Sequence, residues 1–355
     1  MKMSFKVNID DLKTGMILGE DVYCNGNLLL SKGMIVKQGY IIKLMSRGIS
    51  EIKVLAEKTY YDDIFLNPVE KFYVETYEAL AKIIYKFKKD DKIAISEIFP
   101  IIESILENVF SSQNSILSLT GMRGQGKYLC SHSLDVCIYS LITAKALRLN
   151  YEDTVKLGIG AILHDVGKLK IPEGILNKKG KLNEEEFLEV KKHSKYGYDI
   201  LMKCPQISYD VLKIVLQHHE RCDGSGYPNQ KKSDEIHKLS KIVAVADIYD
   251  ALTSDRVYQK KILPHEAAEY LLCISNTLID YEIAKVFINN IAIYPKGCQV
   301  LLNTNEVAIV LDSNKNMPLR PVLKIITDKH RNPLSVPIEC ELQKNSQIII
   351  TQIFC

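Results

Sequence analysis

The sequence has no long apolar run: no uninterrupted stretch approaches the roughly 20 residues of a membrane-spanning helix. The first residues, MKMSFKVNIDDLKTG, also lack the apolar core that a secretory signal needs. A net charge of +3 is too small to indicate nucleic acid or a membrane surface as a partner. We therefore expect a cytoplasmic protein with no membrane span and no nucleic-acid partner.

Paired cysteines are absent as well. The nine cysteines are scattered along the chain, and none forms a Cys-x-x-Cys pair. This pattern predicts reduced thiols that serve as small core residues.

There is no internal repeat and no low-complexity segment. The length of 355 residues, with 46% hydrophobic and 25% charged residues, is instead typical of a globular protein with a sizeable core.

The apolar spacing divides the chain into four segments of a mainly α protein. Residues 1–56 form a small N-terminal α/β unit, and residues 57–118 read as a charged helical linker. Residues 119–292 carry apolar residues at helical spacing, broken by Gly and Pro loops, which predicts an all-helical domain. Residues 293–355 contain the short β-branched runs CQVLLN, EVAIVLD, PVLKIITD and QIIITQIF, which predict a small C-terminal β appendix.

A strand with a hairpin turn and a short helix are predicted inside the N-terminal unit. The stretch NGNLLLSKG reads as a strand, and Asn25-Gly26 before it is suited to a hairpin turn. The stretch GYIIKLMSRGI reads as a short helix that ends at Gly48.

Histidines are concentrated in the helical segment, where five of the eight lie between positions 132 and 219. His132 shares the apolar face of LCSHSLDVCIYSL, and the pair His164-Asp165 ends the apolar run LGIGAILHD. Asp247 ends another apolar run, KIVAVAD. His193 lies within NEEEFLEVKKHSKYGYDIL, a predicted helix. Its inward stripe is predicted to contain Phe187, Val190, Gly197 and Ile200 or Leu201, with a capping box at Asn183 and Glu186.

Each of these residues alone has a simpler interpretation, as a hydrogen-bonded core histidine or a helix-capping aspartate. An ionised aspartate in apolar surroundings is costly unless it is paired or binds a metal, however, and Asp165 and Asp247 both lie in such surroundings. Five inward histidines together with two buried aspartates are the ligand types that divalent first-row metals prefer. The set therefore favours a metal site over five separate structural roles.

The order of the motifs identifies a family. His132 is followed by HDVGK at 164–168, His193, HHERCDGSGYP at 218–228 and ADIYDALTSDRVY at 246–258. This series resembles the HD-GYP family, a branch of the HD-domain metal phosphohydrolases that degrades the bacterial second messenger cyclic di-GMP. The dipeptide His-Asp alone is common, but the complete series, including Gly226-Tyr227-Pro228, is specific.

The resemblance implies a binuclear metal site. Its ligands are expected to be His132, His164, Asp165, His193, His218, His219 and Asp247. Asp165 is expected to bridge the ions, the first bound also by His132, His164 and Asp247 and the second by His193, His218 and His219. Iron or manganese is expected, with zinc as the alternative, because histidine and carboxylate ligands suit all three.

The paired histidines fit such a site only at the end of a helix. Two adjacent residues in a helix point about 100° apart, so His218 and His219 would not share one face within it. At a helix end beside a metal pair both rings can converge, which is what the resemblance implies.

The resemblance also assigns residues to catalysis and substrate binding. Asp165 and Lys168 are expected to be catalytic, and Lys168 and Arg256 to contact the phosphates or a guanine of the substrate. Gly226, Tyr227 and Pro228 are expected to form a lip on the substrate side or a contact for partner proteins such as diguanylate cyclase domains. The alternatives are solvated surface charge for Lys168 and Arg256, and a structural turn for the loop.

Two features of the family are missing. Some members bind a third metal through a glutamate one turn before the first histidine, but here that stretch is Lys-Tyr-Leu-Cys at 127–130, with no carboxylate. Two metals are therefore predicted. The N-terminus shows no receiver-domain pattern, so control by phosphorylation is not supported.

The predicted function is metal-dependent hydrolysis of cyclic di-GMP to linear pGpG, with further cleavage to GMP left open. One alternative is a catalytically silent sensor or scaffold that binds the nucleotide. Loss of a metal ligand would favour that alternative, and none is lost. Another is a phosphodiesterase for a different cyclic dinucleotide, such as cyclic GMP-AMP. The helical linker offers a surface for a homodimer.

Overall fold

The computed structural model describes residues 4–55 with short gaps, 68–111 without 91–92, 128–254 without 179, and 262–354 without 292, 295, 313 and 315–316. The chain divides into two compact units, Met1–Glu75 and Thr76–Cys355. Of the helices described, none combines the length and the apolar character that a membrane crossing requires.

The first unit contains two small antiparallel sheets. Strand β1 (Ser4–Asn8) pairs with β4 (Glu51–Leu55), and β2 (Val22–Cys24) pairs with β3 (Asn27–Leu30). The strand predicted in NGNLLLSKG is confirmed as β3, while the proposed turn residues Asn25 and Gly26 lie outside the described residues. Gly48 has φ +70°, as expected for the residue that ends the preceding helical turn.

The second unit is mainly helical, as predicted. Helix α1 (Pro68–Asp90) begins in the first unit and ends in the second. The helices that follow, in chain order, are α2 (Ile95–Ser111), α3 (Tyr128–Ala146), α4 (Tyr151–Leu163), α5 (Glu173–Leu176), α6 (Glu184–Lys191), α7 (His193–Leu201), α8 (Tyr209–Gln217), α9 (Lys238–Thr253), α10 (Pro264–Ile274) and α11 (Tyr281–Asn290). Short 3-10 turns at Val166–Lys170, Ser233–Glu235 and Leu342–Lys344 complete the helical elements that are described.

Helix α3 lies at the centre of the helical domain. It packs against α2, α4, α9 and α11, and every residue from 130 to 144 is buried. A helix that is enclosed on all sides must satisfy each polar side chain inside the protein. His132, on the second turn of this helix, is therefore placed where its ring nitrogens need specific partners.

Helix α2 belongs to the packed core and not to a free linker. Its residues Ile98, Ile102 and Ile105 are fully buried, and the helix packs against α3 and α4. The second half of the segment expected to be a linker thus packs directly against helices α3 and α4 of the helical domain.

The helix predicted around His193 is interrupted. Helix α6 begins with the predicted capping box, in which Asn183 and Glu186 cap each other's backbone N–H groups, but it ends at Lys191, and α7 starts at His193. Because of this break the two helices do not share one inward stripe. Phe187, predicted to point inward, is 50% exposed, whereas Gly197 and Leu201 are buried as predicted.

The C-terminal appendix is a five-stranded antiparallel sheet with the order β8-β7-β6-β5-β9. Its strands are β5 (Gln299–Leu302), β6 (Val307–Asp312), β7 (Val322–Thr327), β8 (Pro333–Glu341) and β9 (Ile350–Phe354). Four of these were predicted from the β-branched runs. Strand β8 was missed because it contains Pro333 and Pro337, and it lies at the edge of the sheet, where proline is tolerated.

The cysteines follow the expectation only in part. Cys130, Cys137 and Cys340 are free thiols in buried positions, as predicted. Cys298 is disulfide-bonded, so the prediction that the thiols are reduced was wrong at this position.

Candidate metal centre

Five helices bring the predicted ligands together, three of them through residues at a helix end and two through residues within the helix. His164 caps the C-terminus of α4, His193 is the first residue of α7, and His218 caps the C-terminus of α8. His132 comes from α3 and Asp247 from α9. Five elements that are distant in sequence thus converge on one cluster.

The same local hydrogen bond orients three of the histidines. The Nδ1 atoms of His164, His193 and His218 lie 2.7, 2.6 and 2.8 Å from the carbonyl oxygen three residues earlier in the chain. A carbonyl oxygen only accepts hydrogen bonds, so Nδ1 carries the proton in each ring. In the neutral form of such a ring the lone pair is on Nε2, as a metal ligand requires.

His132 is oriented by carboxylates on α9. Its Nδ1 atom lies 2.6 Å from Asp250 Oδ2, and its Nε2 atom lies 3.1 Å from Asp247 Oδ1. Burial would lower the pKa of His132, but hydrogen bonds to Asp247 and Asp250 raise it to about 9. A cation at Nε2 would satisfy the same carboxylates that the proton satisfies.

Asp165 connects the histidines because its two oxygen atoms face different rings. Oδ2 lies 3.5 Å from the Nε2 atom of His132 and 3.4 Å from that of His164. Oδ1 lies 3.3 Å from the Nε2 atom of His193 and 4.0 Å from that of His218. Asp165 is only 1% exposed, so this carboxylate stands at the centre of the cluster.

The charge state of the cluster suits metal binding. Burial would raise the pKa of Asp165, but the charge of Lys168 and the contact with His164 hold it well below its usual range. Burial lowers the pKa of His193 to about 4 and places that of His218 well below the usual value. An ionised Asp165 beside neutral His193 and His218 is the form in which these side chains ligate divalent cations.

The ligand atoms form two groups that share Asp165. His132, His164 and Asp165 form one group, and Asp165, His193, His218 and His219 form the other, with ligand atoms within 4.8 Å of one another in each. His164 Nε2 and Asp165 Oδ1 are buried and have no hydrogen-bond partner among the described residues. Such atoms are costly to bury unless something else occupies them. The residues present therefore fit a metal ion.

Asp247 lies between the two groups. Its Oδ1 atom is 3.1 Å from His132 Nε2, and its Oδ2 atom is 3.7 Å from His219 Nδ1. The adjacent rings of His218 and His219, at and just past the end of α8, have centroids 4.1 Å apart. The two neighbouring rings therefore lie side by side, and both belong to the group that contains His193.

Lys168 lies beside Asp165 although helix α4 does not extend to it. Helix α4 ends at Leu163. The chain instead forms the 3-10 turn Val166–Lys170, whose repeat of about three residues returns Lys168 to the side of Asp165. Lys168 Nζ lies 2.5 Å from Asp165 Oδ2 and is partly exposed.

The loop with the sequence Gly-Tyr-Pro folds back against the paired histidines. A Cβ atom on Gly226 would lie 2.3 Å from Arg221 N and 2.5 Å from Glu220 Cα, so only glycine fits there. The Tyr227 amide donates to the carbonyl of His219, and the two rings have centroids 4.7 Å apart. Tyr227 therefore forms a wall beside His219.

Glu220 fastens the other end of this loop. It is 2% exposed, and its carboxylate accepts hydrogen bonds from the amides of Asn229 at 2.7 Å and Lys231 at 2.9 Å. Pro228, by contrast, is exposed. A buried carboxylate with two such donors holds the loop in one position.

Sequence reasoning missed Asp250 and Glu220. Asp250 follows Asp247 by three residues, a spacing that places both on one face of α9, so the spacing itself was a usable signal. Glu220 gave no comparable signal, because its partners are backbone amides. Arg256, predicted to contact substrate, lies outside the described residues.

A helical domain with a His-Asp pair at the centre of a histidine cluster defines the HD class of proteins. The chain belongs to the HD-domain family, because the family model described as HD domain matches residues 105–283, half of the chain. Its motif series is that of the HD-GYP branch. A second family model, described as a KOW domain associated with the HD domain, matches residues 299–354, which form the C-terminal sheet.

Two curated relatives have sequences similar to that of this chain. Cyclic di-GMP phosphodiesterase PA4108 of Pseudomonas aeruginosa is 35% identical over 227 residues, covering 63% of this chain and 54% of the relative. The 3'3'-cGAMP-specific phosphodiesterase 3 of Vibrio cholerae is 32% identical over 183 residues, covering 52% and 38%. The chain thus spans 54% of the length of the first relative and 38% of the length of the second.

A solved structure supports the fold. Bd1817, described as a HDG"Y"P protein from Bdellovibrio bacteriovorus, superposes with a TM-score of 0.52 over 80% of this chain and 98% of that protein. Its sequence identity is 17%, so the likeness concerns the fold alone.

Proposed function

We propose that this protein is a metal-dependent phosphodiesterase that hydrolyses cyclic di-GMP to linear pGpG. The observation that carries the proposal is the position of Asp165, whose two oxygen atoms face two separate groups of histidines. The name of the Pseudomonas relative, a cyclic di-GMP phosphodiesterase, supports the choice of substrate.

Two divalent cations are proposed to bind the cluster. The first would be held by His132, His164, Asp165 and Asp247, and the second by Asp165, His193, His218 and His219. The Nε2 lone pairs that the Nδ1 hydrogen bonds leave available support this assignment. Iron or manganese is proposed, with zinc as the alternative, because imidazole and carboxylate ligands accept all three.

Uncatalysed hydrolysis of phosphate esters is among the slowest of biological reactions. When bound, the cations would neutralise the phosphodiester, lower the pKa of a water molecule and stabilise the leaving alkoxide. Asp165 supplies a negative charge at the centre of the site, and the ammonium of Lys168 lies beside it. This ammonium, partly exposed, is positioned to bind a phosphate oxygen. Arg256 is retained as a second proposed contact to phosphate or guanine.

The Gly226-Tyr227-Pro228 loop is proposed to shape the substrate side of the site. Tyr227 packs on His219, which supports a role as a wall, and the exposed Pro228 is available to partner proteins such as diguanylate cyclase domains. The same proposal includes a homodimer through the helical linker and a cytoplasmic location. It also includes the segment boundaries 1–56, 57–118, 119–292 and 293–355.

The second candidate is a phosphodiesterase for cyclic GMP-AMP, favoured by the similarity to the Vibrio cholerae enzyme of that specificity. Metal-loaded protein should be incubated with cyclic di-GMP, 3'3'-cyclic GMP-AMP and cyclic di-AMP, and the products separated by chromatography. Linear pGpG as the main and fastest product supports the proposal. Preference for cyclic GMP-AMP supports the second candidate, and binding without any product would indicate a silent sensor.

A further inference from the structure

The side chain of Lys191 lies beside the metal cluster, on the outer face of Tyr227. Its ammonium is 5.4 Å from the centroid of the Tyr227 ring and 4.7 Å from that of Phe187. The Tyr227 ring in turn lies 4.7 Å from His219 and 6.2 Å from His193, centroid to centroid. A single aromatic ring thus lies between the Lys191 ammonium and two of the proposed metal ligands, His193 and His219.

The charge of Lys191 is not compensated by a carboxylate, unlike that of its neighbours. Of the three lysines in residues 184–201, Lys192 pairs with Glu189 at 2.6 Å and Lys195 pairs with Asp199 at 2.7 Å. Lys191 has no ion-pair partner among the described residues. An ammonium held over aromatic faces is partly desolvated, so it attracts an anion more strongly than a fully solvated ammonium does.

A cyclic dinucleotide presents this anion. It contains two phosphodiester groups, and only one can be attacked at the metal cluster at a time. The second group carries a full negative charge that must lie outside the cluster while the first reacts. Lys168 contacts Asp165 Oδ2, the oxygen that faces His132 and His164, so its proposed role is with the phosphodiester group at the cluster.

We propose that Lys191 binds the second phosphodiester group of the cyclic dinucleotide, the one that is not being cleaved. This inference rests on the proposed function and deepens it, because it names a specificity contact for substrates with two phosphates. The rings of Phe187 and Tyr227 hold the ammonium in position, so helix α6 and the loop together determine where the second phosphate lies.

The test compares a substrate with two phosphodiester groups and one with a single group. Steady-state kinetics are measured with cyclic di-GMP and with bis(p-nitrophenyl) phosphate for the wild type, Lys191→Ala, Lys191→Arg and the matched control Lys192→Ala. For Lys191→Ala we expect KM for cyclic di-GMP to rise about tenfold, the loss of one charged contact. Its kcat, and both constants for bis(p-nitrophenyl) phosphate, should stay close to wild type. Lys191→Arg should restore most of the affinity, and Lys192→Ala should behave as wild type.

Two results would overturn the inference while leaving the proposed function intact. One is an unchanged KM for cyclic di-GMP in Lys191→Ala. The other is an equal loss for both substrates accompanied by a lower melting temperature, because that pattern belongs to a lysine that only stabilises the loop. A wild-type protein that is loaded with metal and hydrolyses no cyclic dinucleotide would instead overturn the proposed function, and the inference with it.

Discussion

Asp250 Oδ2 lies 2.6 Å from His132 Nδ1, on the side of the imidazole that faces away from Asp165. The Oγ atom of Ser254 donates to the other oxygen of Asp250 at 3.3 Å, so the carboxylate is itself held in place. Helix α9 therefore contacts both nitrogens of His132, one through Asp247 and the other through Asp250. A partner of this kind fixes the orientation of a metal-binding imidazole and makes it more basic.

Replacing Asp250 with Ala should weaken metal binding without removing a proposed ligand. Loss of such an outer carboxylate costs on the order of 10- to 100-fold in metal affinity. The affinity can be measured by competition with a chelator, with Asp199→Ala, a change at an exposed aspartate, as the control. Asp250→Ala with the affinity of the wild type would mean that the His132 ring is oriented by its packing alone.

Replacing Lys168 with Ala should leave the metals bound but slow the reaction. A charged contact to phosphate in a partly dry site contributes about 2 to 4 kcal/mol in the transition state, or roughly 30- to 1000-fold in rate. Lys170→Ala is the control, because Lys170 lies on the same 3-10 turn but its ammonium is over Phe87. Turnover and metal content should be measured on the same samples. Wild-type kinetics for Lys168→Ala would return this lysine to the role of a surface charge.

The proposed metal ligands His164 and Asp165 were recognisable in the sequence because the constraint on them is local. His164 and Asp165 end an apolar run, and an ionisable pair in that position has few alternatives to binding a partner. The termination of α8 before His219 was likewise foreseeable, since two neighbouring rings cannot converge within a regular helix. Asp250 could have been found from its spacing to Asp247.

Other features depend on contacts between distant segments and had no signal in the sequence. The break between α6 and α7 at Lys192 is marked by neither Gly nor Pro, so Phe187 was assigned to the wrong face. The role of Glu220 depends on backbone amides that only the folded loop brings near it. Strand β8 contains prolines that argue against a strand unless its edge position is known.

Replacing Gly226 with Ala should destabilise the protein and disturb the wall of the site. The added methyl group would lie 2.3 Å from the Arg221 backbone nitrogen, and backbone cannot move aside as a side chain can. A cost of about 1 to 3 kcal/mol in the free energy of unfolding is expected. The melting temperature and the turnover of cyclic di-GMP should both fall, because Tyr227 would leave His219.

The matched control is Gly174→Ala. Gly174 lies in helix α5, and nothing lies within 4 Å of the position that its Cβ would take. Alanine favours helix over glycine by about 1 kcal/mol, so this variant should be as stable as the wild type or more so. Equal melting temperatures for the two variants would show that the loop moves freely and does not depend on a tight approach at Gly226.

The number of metals per chain should be two, and single substitutions should change it in a defined way. Among the described residues the ligand groups are two in number and share Asp165, while the stretch before His132 offers no carboxylate for a third cation. Adding a third positive charge without a compensating anion is unfavourable.

His218→Ala removes a ligand from one group only and should leave about one ion per chain, whereas Asp165→Ala disrupts both groups and should lose both ions together with activity. Elemental analysis of the purified proteins, alongside anomalous scattering from crystals, measures the count. Three well-occupied ions in the wild type, or full metal content in Asp165→Ala, would contradict the assignment.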